Sequence, residues 1–193
     1  EVKQRWATLA RRTLDGTETP YVAAAFKLLL LTGCRLSEIQ RLKWSYVRDE
    51  TIFLPDAKTG PRRVLLSPEA THVLRHVPRL PDNPYVIVGA ARGHHVTDLQ
   101  KPWRRIRKEA GFEDVRIHDL RHTYASLSAM AGHSLPLIGK LLGHTQVQST
   151  ARYAHLADST ARKASFEVDA LISECVGAPK QTTTMLRLVK SDE

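Results

Sequence analysis

Thr51–Ser67 reads TIFLPDAKTGPRRVLLS. Two β-rich runs, TIFLP and RRVLLS, flank DAKTGP, and Gly60-Pro61 marks a turn between them. The stretch predicts a β-hairpin with Lys58 at its tip. Nearly everything around it repeats with helical periodicity instead, so the expected class is mainly α with a small antiparallel β-sheet (α+β).

Upstream of the hairpin, EVKQRWATLARR places Val2, Trp6 and Leu9 on one helical face. Thr19-Pro20 opens a longer apolar helix that ends near Gly33, and Ser37 to Leu42 reads as a short helix. Downstream, Ser67-Pro68 starts another helix, RLPDNP breaks it, and YVIVG at residues 85–89 is a short strand candidate. Val96, Leu99, Trp103, Ile106 and Ala110 then recur at three and four residues, a core stripe that leaves Lys101, Arg104, Arg105 and Lys108 on a basic face. Helices follow over His118 to Ala131, Leu135 to Leu142, Gln146 to Tyr153 and Asp158 to Cys175, with Gly132, Pro136 and Gly143 as breaks. Residues 1–176 are expected to form one domain, and GAPKQTTT opens a linker and tail over 177–193.

The chain of 193 residues has room for one sizeable core. Lysine and arginine outnumber aspartate and glutamate by 29 to 20, and the resulting charge of +9 attracts polyanions such as nucleic acid. The basic face of Lys101, Arg104, Arg105 and Lys108 is the candidate surface for it. Two cysteines, Cys34 and Cys175, are too few for a disulfide framework or a four-thiolate metal site, which points to a reducing, cytoplasmic setting. The apolar run from Ala23 to Leu31 is interrupted by Lys27 and is far shorter than a bilayer span. No membrane role is expected.

Six side chains carry chemistry suited to a phosphodiester: Arg35, Lys58, His118, Arg121, His144 and Tyr153. Attack on such an anion needs positive donors on the phosphate and a proton for the leaving alkoxide. Arg35 and Arg121 present planar forks that stay charged and match non-bridging oxygens, and His144 adds a third donor. Tyr153 offers the nucleophilic hydroxyl, which at an ordinary pKa of roughly 10 needs a proton acceptor, with His118 as the helper. Lys58 on its turn is placed to act as general acid. Taken singly, Arg35 reads as a helix-capping charge, Lys58 as turn chemistry and Tyr153 as a half-buried aromatic.

Two carboxylates accompany the set: Glu38, three residues after Arg35, is placed to hold its guanidinium, and Asp119 to orient a histidine, while both equally read as ordinary helix-surface carboxylates. His118 and His122 stand at i, i+4, a spacing that zinc sites use, but HDLRH lacks the glutamate of HExxH and a third ligand. No metal ligand set is expected.

The frames LTGCRLSEI, AKTGPRR, HDLRHTYAS, LLGH and ST-x-x-Y-x-H, in this order from about Pro20 to Asp158, resemble the catalytic domain of the tyrosine recombinases of phages and other mobile genetic elements. The resemblance implies site-specific DNA recombination and integration without metal, ATP or any cofactor. Tyr153 would join the DNA 3′-phosphate in a phosphotyrosine intermediate, and Arg35, Arg121, His118 and His144 would stabilise the transition state. Lys58 would protonate the leaving 5′-oxygen. The implied partners are double-stranded DNA, three further copies in a homotetramer that exchanges C-terminal segments, and accessory DNA-bending proteins. The helix stripe of Val168, Leu171, Ile172 and Cys175, together with MLRLV, suits that exchange and equally suits folding back onto its own domain. The family's N-terminal DNA-gripping domain is expected to be missing upstream of the catalytic frame.

Two other readings share parts of this pattern. A type IB topoisomerase uses related chemistry but reseals the original strand, and the LLGH and ST-x-x-Y-x-H frames favour the recombinase. A non-catalytic DNA-binding regulator has no need for all six side chains.

Overall fold

The structure is a computed structural model that describes residues 18–175 apart from 59, 147 and 157, with the backbone alone described over 158–163. The expected opening helix, the boundary at 176/177 and the tail lie outside the described residues.

Helix α1, Pro20–Thr32, starts where Thr19 Oγ1 accepts the Val22 N–H at 3.3 Å and Pro20 takes the first helical position. It ends at Gly33, whose φ of 62° lets its N–H reach Leu29 O. A side chain there would meet Tyr124 Cδ1 at 2.7 Å and Leu142 Cδ2 at 2.9 Å, so only glycine lets this loop press so close to the next two layers. Phe26 of α1 packs against Trp103 with ring centroids 5.0 Å apart, in a core that also takes Leu28, Leu29, Ile39 and Leu42.

Helix α2, Leu36–Gln40, follows at once. The Glu38 carboxylate reaches back to the Arg35 N–H at 2.8 Å, satisfying one of the orphan donors at the helix start. A 3-10 turn over Trp44–Tyr46 leads into strands β1 (Val47–Arg48), β2 (Thr51–Leu54) and β3 (Arg62–Leu65), ordered β1-β2-β3 and antiparallel throughout. The predicted hairpin is present, with Ile52 opposite Val64 and Leu54 opposite Arg62. Its period-two pattern buries Ile52, Leu54, Val64 and Leu66 and turns Phe53 and Leu65 outward. The short β1 pairs with β2 through Val47 and Ile52.

Helix α3, Pro68–His76, is capped by Ser67 Oγ, which accepts the Ala70 N–H at 3.2 Å. The YVIVG segment does not form the expected strand. Tyr85 and Val88 make single bridges, to Lys43 and His95, while Val86 and Ile87 are fully buried between the loops that supply those partners. The run is apolar because it is core, and its neighbours pair with it one residue at a time: Val86 N donates to Leu42 O and Val96 N to Ile87 O.

Helix α4, Gln100–Glu109, begins later than the apolar stripe because Asp98 Oδ1 accepts the N–H groups of Gln100 and Lys101 at 2.8 and 3.3 Å. Leu99, Trp103 and Ile106 are buried, and Lys101, Arg104, Arg105 and Lys108 are exposed as the periodicity requires. Trp103 Nε1 donates to Val115 O at 2.9 Å, tying α4 to the start of α5, Ile117–Met130. Helices α6 (Leu135–Leu142), α7 (Gln148–Ala151) and, after a 3-10 turn at Ala154–Leu156, α8 (Asp158–Cys175) complete the described chain. Ala125, Ala129, Ile138, Leu142 and Tyr153 form a second, smaller apolar cluster between α5, α6 and the segment after α7.

Candidate active site

Arg35 sits at the junction of α1 and α2, aimed by Gly33 behind it and by Glu38, whose Oε1 accepts its Nη1 at 3.0 Å. Its Nη2 donates to Gly143 O at 3.3 Å, across 108 residues of sequence. Arg121 arrives from α5. Its guanidinium is buried, with Nη1 donating to Gly33 O and Nη2 to Leu142 O at 2.8 Å. Two arginines from opposite ends of the fold therefore meet on one corner, Leu142–Gly143, beside His144. His144 is set by Gly143, whose φ of 69° ends α6 and sends the His144 N–H to Gly139 O at 2.9 Å.

A third arginine completes this cluster. Strand alternation places Arg62 on the same face as Val64 and Leu66, so its side chain enters the core, where Nη2 donates to Glu38 Oε2 at 2.8 Å and Nη1 to Leu141 O at 3.2 Å. Glu38 thus bridges two guanidiniums. Burial alone would push its carboxyl up, but the hydrogen bonds from Arg62 and Arg35 outweigh burial and hold it below the ordinary glutamate value. Arg121 feels the same crowding: burial, then Arg35 and Arg62, bring its pKa down to about 10. It stays charged at neutral pH.

The imidazoles respond to the same field. Burial, followed by Arg121 and Arg35, pulls His144 down to about 4, and burial followed by Arg121 lowers His118 as well. Both are neutral at pH 7. His144 Nδ1 lies 2.9 Å from the buried Thr150 Oγ1. With that hydroxyl donating, the neutral ring carries its proton on Nε2 and remains a hydrogen-bond donor.

Tyr153 is 5% exposed, and its hydroxyl lies 2.6 Å from His122 Nδ1. Burial raises its pKa, against the opposing pull of Arg152 and Arg121, so it is a neutral phenol at pH 7. The helper expected from sequence was His118; the histidine in contact is His122, one turn further along α5, whose ring meets that of His118 edge-on with centroids 4.8 Å apart. Asp119 serves its own helix. Instead of orienting a histidine, its carboxylate accepts the backbone N–H of Arg116 at 2.8 Å and the Arg116 guanidinium at 3.1 Å, fixing the start of the helix that carries His118 and Arg121.

Lys58 is exposed at the hairpin tip and stands apart from the guanidinium cluster, yet it lines the same cavity as Arg35, with Arg41, Lys43, Tyr46, Asp56 and Tyr85. His118 and Arg121 line a second cavity with Cys34, Arg107 and Arg116. Among the described residues no three His, Cys, Asp or Glu side chains converge as a metal-binding group, and no helix is long and apolar enough to cross a membrane.

A profile of the phage integrase family matches residues 7–160. The chain belongs to the phage integrase family. Among curated relatives, it is similar to the tyrosine recombinase XerA of Saccharolobus solfataricus, 30% identical over 163 residues that make up 81% of this chain and 53% of the relative. It is also similar to the integrase of Haemophilus phage HP1, 27% identical over 148 residues, 75% of this chain and 40% of that protein. The chain therefore spans about half or less of the length of these relatives. The crystal structure of XerA recombinase shares the fold with a TM-score of 0.68 at 26% identity, covering 86% of this chain and 61% of that one. The catalytic domain of bacteriophage HP1 integrase gives a TM-score of 0.64 at 27% identity, covering 85% of this chain and 90% of the solved domain. This phage integrase family member thus has the tyrosine recombinase catalytic-domain fold, mostly helical with one small antiparallel sheet.

Within that fold, Arg35, Arg121 and His144 of the expected set form one cluster, Tyr153 and His118 flank it through His122, and Lys58 is held out on the hairpin. Arg62 and His122 were missed. Arg62 was legible in the alternation Arg62, Val64, Leu66, which aims a charge inward. His122 was legible only as a spacing from His118, and that spacing says nothing of a tyrosine 31 residues away.

Proposed function

We propose that this chain cleaves and rejoins DNA at specific sites through a covalent 3′-phosphotyrosine, as a tyrosine-type site-specific recombinase of a mobile genetic element. The observation that carries the reading is the convergence of Arg35 and Arg121 on Leu142–Gly143 beside His144, a fixed cationic pocket of the kind a pentavalent phosphate requires. The family's membership and the integrase and recombinase names of its relatives support the same reading.

In this mechanism Arg35 and Arg121 bind the non-bridging oxygens and His144 donates from Nε2. Tyr153 Oη attacks phosphorus, the bond to O5′ breaks, and Lys58 Nζ supplies the proton to O5′. Phosphate ester energy is retained in the phosphotyrosine, so a 5′-hydroxyl from another strand can reverse the step without ATP. The exposed Lys101, Arg104 and Lys108 on α4 suit the phosphate backbone of double-stranded DNA. Arg105 is partly committed, since its guanidinium holds Glu18 at 2.7 Å.

Assembly as a tetramer on DNA follows from the same reading. Helix α8 presents Phe166, Val168, Leu171 and Ile172 to solvent, each more than half exposed, a stripe suited to docking on another copy. The cleavage reading is tested with a nicked suicide duplex bearing the ends of the element that encodes the chain. A covalent protein–DNA species on a denaturing gel, lost in Tyr153→Phe and retained in chelator, is the expected result; an adduct that survives Tyr153→Phe overturns it.

A further inference from the structure

Tyr153 Oη and His122 Nδ1 are 2.6 Å apart, and the protonation states on the two sides are complementary. Burial keeps the phenol neutral. Burial also lowers His122, helped by His118, Arg152 and Arg116 and opposed by Asp119, so its ring is neutral too. A neutral phenol donates to a neutral imidazole, which fixes the remaining ring proton of His122 on Nε2. The groups facing this imidazole are therefore His118 and Asp119 from its own helix, Arg116 from the preceding loop, and Arg152 and Tyr153 from the segment after α7. None of them supplies Tyr153 with a better acceptor at this distance, and the i, i+4 spacing on α5 puts His118 against the edge of the same ring.

We propose that His122 is the general base that takes the Tyr153 proton during attack, an assignment that rests on the strand-cleavage reading above. As the Tyr153 Oη–P bond forms, the phenolic proton passes to His122 Nδ1. As the P–O5′ bond breaks, O5′ receives a proton from Lys58 Nζ. The imidazolium produced lies beside His118 and Arg152, which oppose its charge and favour return of the proton when a 5′-hydroxyl expels Tyr153 in the rejoining step. Base and acid are thus separate groups on separate elements, α5 and the hairpin.

The test uses this chain with the nicked suicide duplex in single turnover, comparing wild type, His122→Gln, Lys58→Ala and Tyr153→Phe. Glutamine keeps a hydrogen-bonding group near Tyr153 but cannot carry the proton; His122→Asn is the second variant should the first melt at a lower temperature than wild type. The expected result is a cleavage rate about 100-fold lower or more in the His122 variants, with unchanged DNA binding. The wild-type loss of rate as pH falls through the His122 pKa should disappear, while the limbs set by His118 and His144 persist. A duplex with sulfur in place of the bridging 5′-oxygen needs no leaving-group proton, so it should restore Lys58→Ala and leave His122→Gln slow. Wild-type cleavage by both His122 variants, an unchanged pH limb, or recovery of His122→Gln by the sulfur substrate overturns the base assignment while leaving a Tyr153-dependent adduct intact. Absence of any Tyr153-dependent adduct from wild type overturns both readings.

Discussion

Arg62 donates to Glu38 at 2.8 Å from a strand that the helix bearing Glu38 does not adjoin in sequence, and the same carboxylate holds Arg35 through its other oxygen. The pair joins the hairpin to the Leu142–Gly143 corner where Arg35 and Arg121 meet. Both side chains are at most 10% exposed, so removal of one leaves a buried charge without its partner. Glu38→Ala should therefore cost about 3 kcal/mol or more, or roughly 6–12 °C in Tm for a chain of this size, and should reduce cleavage by misaiming Arg35. Differential scanning calorimetry and the suicide-substrate assay read the two effects separately. A Tm within about 2 °C of wild type, less than 1 kcal/mol on the same scale, would contradict the pairing.

The depressed histidine sets a pH dependence of stability. His144 titrates at about 4 in the folded chain against an ordinary 6.5, so the unfolded chain binds more protons between those values and stability falls with acid across that window. The contribution is fully present above pH 6.5 and gone below pH 4. Glu38, held below its ordinary 4.5, loses its own contribution as pH falls from there through its lowered folded value. Urea melts at pH 7 and pH 5 should show a smaller difference in His144→Asn than in wild type; equal differences would count against a buried neutral His144.

Gly33 is the position where the fold has no room for a β-carbon. Gly33→Ala combines a left-handed φ of 62° with an approach of 2.7 Å to the Tyr124 ring. The conformational cost of about 1–2 kcal/mol and an overpacking cost of about 1–3 kcal/mol should together appear in chemical denaturation. Because Gly33 O is a partner of Arg121, cleavage should fall further than the stability loss explains.

Lys101, Arg104 and Lys108 should differ from Arg105 in their effect on DNA affinity. Each alanine substitution at a phosphate-contacting position reduces the log–log salt slope by about 0.9, whereas Arg105→Ala should change it less, since Glu18 already neutralises that guanidinium. Fluorescence anisotropy on a labelled duplex across salt concentrations distinguishes them. Identical slopes for all four variants would remove the α4 face from the DNA contact.

The exposed stripe on α8 should matter for assembly and not for folding. Leu171→Glu, at a position 62% exposed, should leave folding stability unchanged within about 0.5 kcal/mol and lower the mass of the complex on a full-site duplex in light scattering. An unchanged mass would argue that the helix has no partner in another copy.

Much of this was readable from the chain, and the exceptions have physical reasons. Thr19-Pro20, Gly33 and Ser67-Pro68 are punctuation that acts locally, so α1, α3 and their limits followed directly. The hairpin was visible in its turn residues and alternation. YVIVG misled because burial on all sides demands apolar residues whether or not a ladder forms, and the single bridges to Lys43 and His95 depend on loops far away in sequence. In the site, Arg35, Arg121 and His144 carried recognisable frames. Of the two readings open for Asp119, the helix-start one is what the structure holds, because a carboxylate at the third helical position is within reach of its own helix start and of Arg116. His122 was visible only as the i, i+4 neighbour of His118, since contact with Tyr153 is made only when α5 and the segment after α7 pack together.

The turn that carries Lys58 springs from the last strand pair, Leu54 and Arg62: Arg62 is locked at the root of the turn into the arginine cluster, while Lys58 projects exposed from it. In the proposed mechanism the proton donor is thus carried on a loop whose root is fixed by the same cluster that binds the phosphate. On that reading, lengthening or shortening the turn between Leu54 and Arg62 should alter the reach of Lys58 while Arg62 keeps its place, which would make the timing of strand release separately adjustable.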